Sequence, residues 1–329
     1  MKVLYPNCIP VMGFKKIVFY DLERQRFNQF LKTDFFNMEE EKDCMEFDLK
    51  KVHKNGMKLL QDYQFLMPES GDHVISFMQP SQFYKWKSPA LITNTVLELS
   101  QYNGLLEIEP FEHVMKLLER ILCKHILLRI NNYVSPELLK GLLQVVSLSS
   151  IQSIQLVLPF DKKYYTDDFG SFIMRQPKVK WLVFEKSPFK KNLENKIFFC
   201  THSVKNSEKK SVEQFVTNLF LFSESQLHHT YFNRKLFIGS KGEIKNAPEC
   251  AEIHGWIQDV EHTHELIKVI KTAAFQKLWY VIKERTEVCK DCEFRYMCID
   301  NRIPLQRDNG YWYHEQACNY DPYSGLWKE

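Results

Sequence analysis

The chain has 329 residues, of which 44% are hydrophobic and 14% aromatic, so disorder over most of its length is excluded and one large domain or two to three modest ones are expected. A formal charge of +3, from 44 Lys plus Arg against 41 Asp plus Glu, gives no argument for nucleic acid or an anionic membrane as partner. No apolar run approaches the roughly 20 residues that a bilayer span needs, and the opening MKVLYPNCIPVMGFKK lacks the pattern of a signal peptide. The expectation is therefore a cytoplasmic chain with reduced thiols, whose nine cysteines need an explanation other than disulfides.

The fold class read along the chain is α/β. Residues 1 to about 75 form a small unit. Lys16–Tyr20 and Arg26–Leu31 are β-rich runs around a polar turn, the acidic stretch Glu39–Asp43 follows, and Leu49, Val52, Gly56, Leu59 and Leu60 recur at helical spacing before the loop Pro68–Gly71. This unit reads as winged-helix-like. Its edge strand within Lys16–Leu31 suits capture of an extended peptide, or the unit is a structural cap.

From 88 to about 230 strands and helices alternate in the βαβ rhythm of a parallel sheet or partial barrel. Strands are predicted at Ala90–Leu99, Ile126–Ile130, Ile154–Leu158, Trp181–Phe184 and Lys196–Cys200, and helices at Pro110–Cys123, from Pro136 through Leu138–Val146, and at Ser211–His228. From 231 onward come a hairpin, Lys235–Ile244, with Gly239 and Gly242 at its turn, a long helix His264–Lys283, and an irregular tail from Cys289.

The tail carries the chemistry. Cys289-x2-Cys292-x5-Cys298-x19-Cys318 supplies four thiolates, enough for one tetrahedral metal ion or for the corners of a four-iron cluster. In a segment so poor in regular structure a metal is expected to organise the fold. Spacing leaves zinc and iron–sulfur open, with four buried structural thiols as the plain alternative. Cys8, Cys44, Cys123, Cys200 and Cys250 are scattered.

Cys289-Lys-Asp-Cys-Glu-Phe-Arg-Tyr-Met-Cys298, the distant Cys318 and Tyr320-Asp-Pro-Tyr-Ser-Gly-Leu-Trp327 resemble the SPASM domain. That domain is appended to radical S-adenosylmethionine (SAM) enzymes that mature ribosomal peptides. The similarity is nearest to the maturases of "grasp-with-spasm" systems, covers about 235 to 329, and includes Gly242-Glu-Ile-Lys-Asn-Ala-Pro and His254-Gly-Trp-Ile257. It divides the chain into a recognition or capping unit (1–75), a degenerate radical SAM-like partial barrel (88–230) and a SPASM-like domain (231–329). It implies that Cys289, Cys292, Cys298 and Cys318 bind one auxiliary 4Fe-4S cluster. A second cluster lacks its ligands: Ala247 stands where one cysteine is expected, and Cys250 lies three positions away. The catalytic Cys-x3-Cys-x2-Cys is also missing. After Val96–Ser100 comes Gln101-Tyr-Asn-Gly-Leu-Leu-Glu-Ile108, so reductive SAM cleavage by this chain alone is not expected. The resemblance implies a ribosomally made precursor peptide and an ATP-grasp ligase as partners, in an accessory role. An active radical enzyme whose cluster is supplied otherwise and a zinc-stapled binding module are the alternatives.

Other signals are plainer. His254, His262 and His264 with Glu261 and Glu265 read as a further metal site or as a polar helix start, and His228-His229 as a helix end. Tyr296, Tyr311, Trp312, Tyr313, Tyr320, Tyr323 and Trp327 read as a peptide groove or as a dry shell around the metal. No phosphate-cradling glycine motif is present.

Overall fold

The computed structural model describes residues 3–36, 47–67, 88–204 and 211–328. The acidic stretch, the Pro68–Gly71 loop and Cys44 lie outside these. The fold is mixed α/β, and the chain falls into two compact units. One comprises Met1–Lys87, Lys209–Tyr231 and Leu278–Glu329; the other comprises Ser88–Glu208 and Phe232–Lys277. The stretch from 231 onward, expected as one domain, is shared between the units, with its hairpin and Cys250 in the second and Cys289, Cys292, Cys298 and Cys318 in the first.

The first unit is built on an antiparallel sheet of β1 (Cys8–Met12), β2 (Lys16–Asp21) and β3 (Arg26–Leu31) in that order. The β2–β3 hairpin is the one the sequence predicts; β1 was not foreseen, because Pro10 weakens it as a strand, and an edge position is where a proline is tolerated. Side chains alternate across the sheet, yet both faces are covered. Ile17 and Phe19 point into a cluster with Phe35, Phe36, Leu60 and Phe65, while Val18 and Tyr20 join Phe222, Phe294, Met297 and Tyr320. That explains why β2 reads as an unbroken apolar run. Phe19 meets Phe30, Phe35, Phe47 and Phe65 with ring centroids 5.3–6.0 Å apart. Helix α1 (Lys54–Asp62) closes this side, and its end is tied to the sheet by Arg24 and Arg26. Both guanidinium groups pair with buried Asp21 and donate to the carbonyls of Gln64 and Tyr63.

The β1–β2 turn rests on the cysteine-bearing tail. Arg295 donates to the Met12 carbonyl at 2.7 Å, and Phe14 N–H donates to Asp291 at 2.6 Å. A Cβ on Gly13 would sit 2.4 Å from Glu293 Oε2 and 2.8 Å from its backbone nitrogen. The backbone contact cannot be relieved by a side-chain rotation. Gly13→Ala is therefore expected to destabilise the protein by about 1–3 kcal/mol, seen as a lower urea midpoint with an unchanged slope.

The second unit holds the parallel sheet. Its strands are β4 (Asn94–Leu99), β5 (His125–Ile130), β6 (Ser153–Pro159), β7 (Val179–Glu185), β8 (Lys191–Leu193), β9 (Ile197–Phe199), β10 (Lys235–Ile238), β11 (Glu243–Lys245) and β12 (Gly255–Trp256). The order is β12-β11-β10-β4-β5-β6-β7-β9-β8, parallel from β10 through β9 and antiparallel at both ends. One register row, Ile238–Leu97–Leu128–Leu156–Leu182–Ile197, runs across the parallel part and is buried throughout. Helices α2 (Ile108–Arg120), α3 (Pro136–Leu148) and α4 (Asp167–Met174) provide the connections. Ser135 caps α3 by accepting from Leu138 N–H, Pro136 opens it, and the Lys178 ammonium ends it by donating to the carbonyls of Val146, Ser147 and Ser149.

Two predicted helices are corrected. Ser211–His228 is helical only at Leu219–Ser225, after a single 3-10 turn at Val212–Gln214, because the Asn218 side chain captures Leu221 N–H and starts the helix there. The long helix His264–Lys283 is two short ones, α5 (Thr263–Ile270) and α6 (Ala273–Gln276). Thr272 breaks them apart: its hydroxyl donates to the Val269 carbonyl behind and accepts from Phe275 N–H ahead. Among the described residues no helix is long and apolar enough to cross a membrane.

Candidate metal centre

The tail folds through local turns. Beyond the 3-10 turns Lys283–Arg285 and Cys289–Asp291 there are two short ribbons, Leu305–Gln306 with Trp312–Tyr313 and Tyr320–Asp321 with Leu326–Trp327. Val288, just before Cys289, sits at φ 65° and ψ −47°, and Cys289 N–H donates to the Glu287 carbonyl at 2.7 Å. This is a γ-turn of the rare positive-φ kind, costly for a β-branched residue, and it turns the chain sharply into the first cysteine.

Cys289, Cys292, Cys298 and Cys318 all line one small hollow that is partly open to solvent. The cysteines surround this space together with Lys283, Asp300, Arg302, Arg295, Tyr320 and Trp327. Their backbone is held on several sides. The Cys292 carbonyl accepts from Arg295 at 2.9 Å, the Cys298 carbonyl from the Thr230 hydroxyl at 2.7 Å, and Tyr320 N–H points to Cys318 Sγ at 3.4 Å. Burial pushes the Cys289 thiol above its ordinary range, partly offset by Lys283. Burial, with the neighbouring Glu293 and Cys298, pushes Cys292 well above it. Metal uptake must therefore displace protons from these two sulfurs.

Behind Cys289 lies an ion cluster that the sequence reading did not contain. Asp300 accepts from Lys283 Nζ at 3.1 Å and from Arg302 Nη2 at 2.6 Å, with His314 Nε2 at 3.4 Å; the side chains of Asp300, Lys283 and His314 are 1%, 3% and 4% exposed. Burial opposes ionisation of Asp300, but Lys283 and Arg302 hold its carboxyl well below the usual range. Burial lowers the His314 imidazole to about 4, so the ring is neutral at pH 7. The ligand atoms of Cys289, Asp300 and His314 all lie within 4.8 Å of one another, and this group could hold a metal ion. Asp300 already satisfies two cations, so a metal there must displace or share them.

The remaining sequence candidates are elsewhere. Cys8 belongs to the core beside Phe19, and burial pushes its thiol up strongly. Cys123 lies against Thr95 Oγ1 in the second unit, where Cys200 and Cys250 also belong; burial raises Cys123 and Cys250 each to about 11. The loop after β4 is knotted by Asn103. Its amide donates to the carbonyls of Glu98 and Gly239 and accepts from Ser100 and Leu105 N–H. Glu265 caps α5 by accepting from Glu261 and His262 N–H, which accounts for that polar cluster as a helix start, and His254 packs edge-on against Phe275. His228 packs at a tilt against Tyr280, while His229 is buried with its backbone N–H donating to the Trp279 carbonyl. Of the aromatics, Tyr320 and Trp327 wall the hollow, Tyr296 packs on Phe222, and Tyr323 lies on the surface against Phe14.

No family model, curated protein or solved structure matches this chain.

Proposed function

We infer that this chain is an accessory protein of ribosomal peptide maturation, carrying one metal–thiolate centre on Cys289, Cys292, Cys298 and Cys318. The observation that supports the reading most is that these four cysteines, spaced as in the SPASM motif they resemble, border a single hollow. The donor chemistry fits a 4Fe-4S cluster: four cysteine sulfurs, an apolar wall that includes Phe294 and Trp327, and the Tyr320 backbone N–H directed at the Cys318 sulfur. Bound there, such a cluster would supply structural cross-linking or one-electron transfer. The stretch after β4, Gln101-Tyr-Asn-Gly-Leu-Leu-Glu-Ile108, carries no cysteine triplet, so SAM cleavage by this chain is no part of the proposal.

Precursor peptide and an ATP-grasp ligase are the partners this reading implies. Isothermal titration of the anaerobically purified chain with the precursor peptide and with the ligase, both taken from the same gene neighbourhood, should show saturable binding of at least one. Titrations that are flat for both, with metal-loaded protein, contradict the reading. A zinc-stapled binding module is the second reading, favoured by the convergence of Cys289, Asp300 and His314.

A further inference from the structure

On one wall of the hollow two cations meet a single carboxylate. Besides the four cysteines and Tyr320, its ionisable lining is Lys283, Arg295, Arg302 and Asp300. Lys283 is buried, and its ion-pair partner, Asp300, is shared with Arg302. The imidazoles facing this group add no negative charge. His314 stands 3.4 Å from Asp300, and His229 is buried close by with burial holding it neutral. Glu284 offsets Arg295, and Glu293 is buried beside Cys292 with its carboxylate on Gln29 and Tyr320, so the charges of the whole shell balance, while Lys283 and Arg302 share the one carboxylate on the Cys289 side. Two cations on one buried carboxylate leave a local positive charge beside Cys289, which is costly unless it faces an anion. The sulfurs are where that anion would form, since four thiolates around either a zinc ion or a four-iron core leave a negative complex.

We propose that Lys283 is a positioning residue for the metal–thiolate complex, its buried ammonium serving as the fixed countercharge that retains the complex in the hollow, with Arg302 as a second, outer countercharge. The proposal rests on the metal-centre reading above and extends it to residues outside the ligand set. It makes charge, rather than shape, the requirement at position 283.

The test uses the full-length chain purified anaerobically, as wild type, Lys283→Met, Lys283→Arg and Arg302→Gln. Metal content and the rate of metal loss to a chelator are read for each, with folding followed by circular dichroism. Lys283→Met should lose metal about ten-fold faster or more, the size typical of outer-sphere partners, while Lys283→Arg stays near wild type. Arg302→Gln should fall between and decides the matter if Lys283→Met does not fold. Where the metal is iron–sulfur, Lys283→Met should also shift its midpoint potential to more negative values. A loaded wild type whose Lys283→Met and Arg302→Gln forms release metal at the wild-type rate overturns this proposal alone. So does Lys283→Arg behaving like Lys283→Met. A wild type free of metal overturns the metal-centre reading itself.

Discussion

Asp300→Ala should be among the most damaging single substitutions in the chain, costing about 3–5 kcal/mol, because it leaves the Lys283 ammonium buried without its carboxylate. Against a typical total stability of about 5–15 kcal/mol, that places the variant near its unfolding threshold at 37 °C. Asp300 is also the hub that orients Arg302, whose Nη1 holds the Gln316 carbonyl two residues before Cys318. Loss of the hub should loosen the far side of the hollow as well as its wall. The pH dependence follows from the sign of the shift. Asp300 has a folded-state value depressed well below its ordinary one, so its contribution is complete above about pH 4, the unfolded value, and fades as pH falls through the folded one. Urea midpoints of wild type measured from pH 7 downward should carry this acid limb, and Asp300→Asn should lack it. Equal midpoints for wild type and Asp300→Ala at pH 7 would remove the hub from the account.

Cys298→Ala is the second large expectation. The tail between Cys289 and Glu329 is held by two-residue ribbons and single turns, too little hydrogen-bonded ladder to hold an isolated segment. If a metal ties it together, binding free energy is folding free energy, about 10–16 kcal/mol in small structural zinc domains at pH 7. Cys298→Ala should therefore lose most of its metal and become protease-sensitive within Cys289–Cys318. Because Phe294, Met297 and Tyr320 also wall the core beneath β2, the damage should reach the N-terminal sheet and lower its thermal midpoint. A Cys298→Ala protein with wild-type metal content and proteolytic pattern would sink the ligand assignment.

The elements that were legible in the sequence are those whose determinants are local. The row through Leu97, Leu128, Leu156, Leu182 and Ile197 comes from short apolar runs at βα intervals, and Gly239 and Gly242 mark the β10–β11 turn directly. Helix breaks were harder. Asn218 and Thr272 interrupt apolar patterns that run through them, and whether such a side chain caps a new helix or merely sits in an old one depends on hydrogen bonds that periodicity does not encode. The β1 strand and helix α4 (Asp167–Met174) were missed, the first for its proline and the second for being short. At the candidate site, the cysteines announce themselves by spacing alone. Lys283, Asp300 and His314 do not: they stand 17 and 14 residues apart and meet only because the tail turns back on itself, as the Lys283–Asp300 and His314–Asp300 pairs record.

The most direct measurement is the metal and acid-labile sulfide content of the anaerobically purified full-length chain, with its visible absorption spectrum. The expected result is about four irons and four sulfides per chain and a brown protein, from a cluster bound by four cysteines. A colourless protein with one zinc would replace the cluster by a zinc staple, and a chain free of metal would contradict the central claim that Cys289, Cys292, Cys298 and Cys318 form a metal centre.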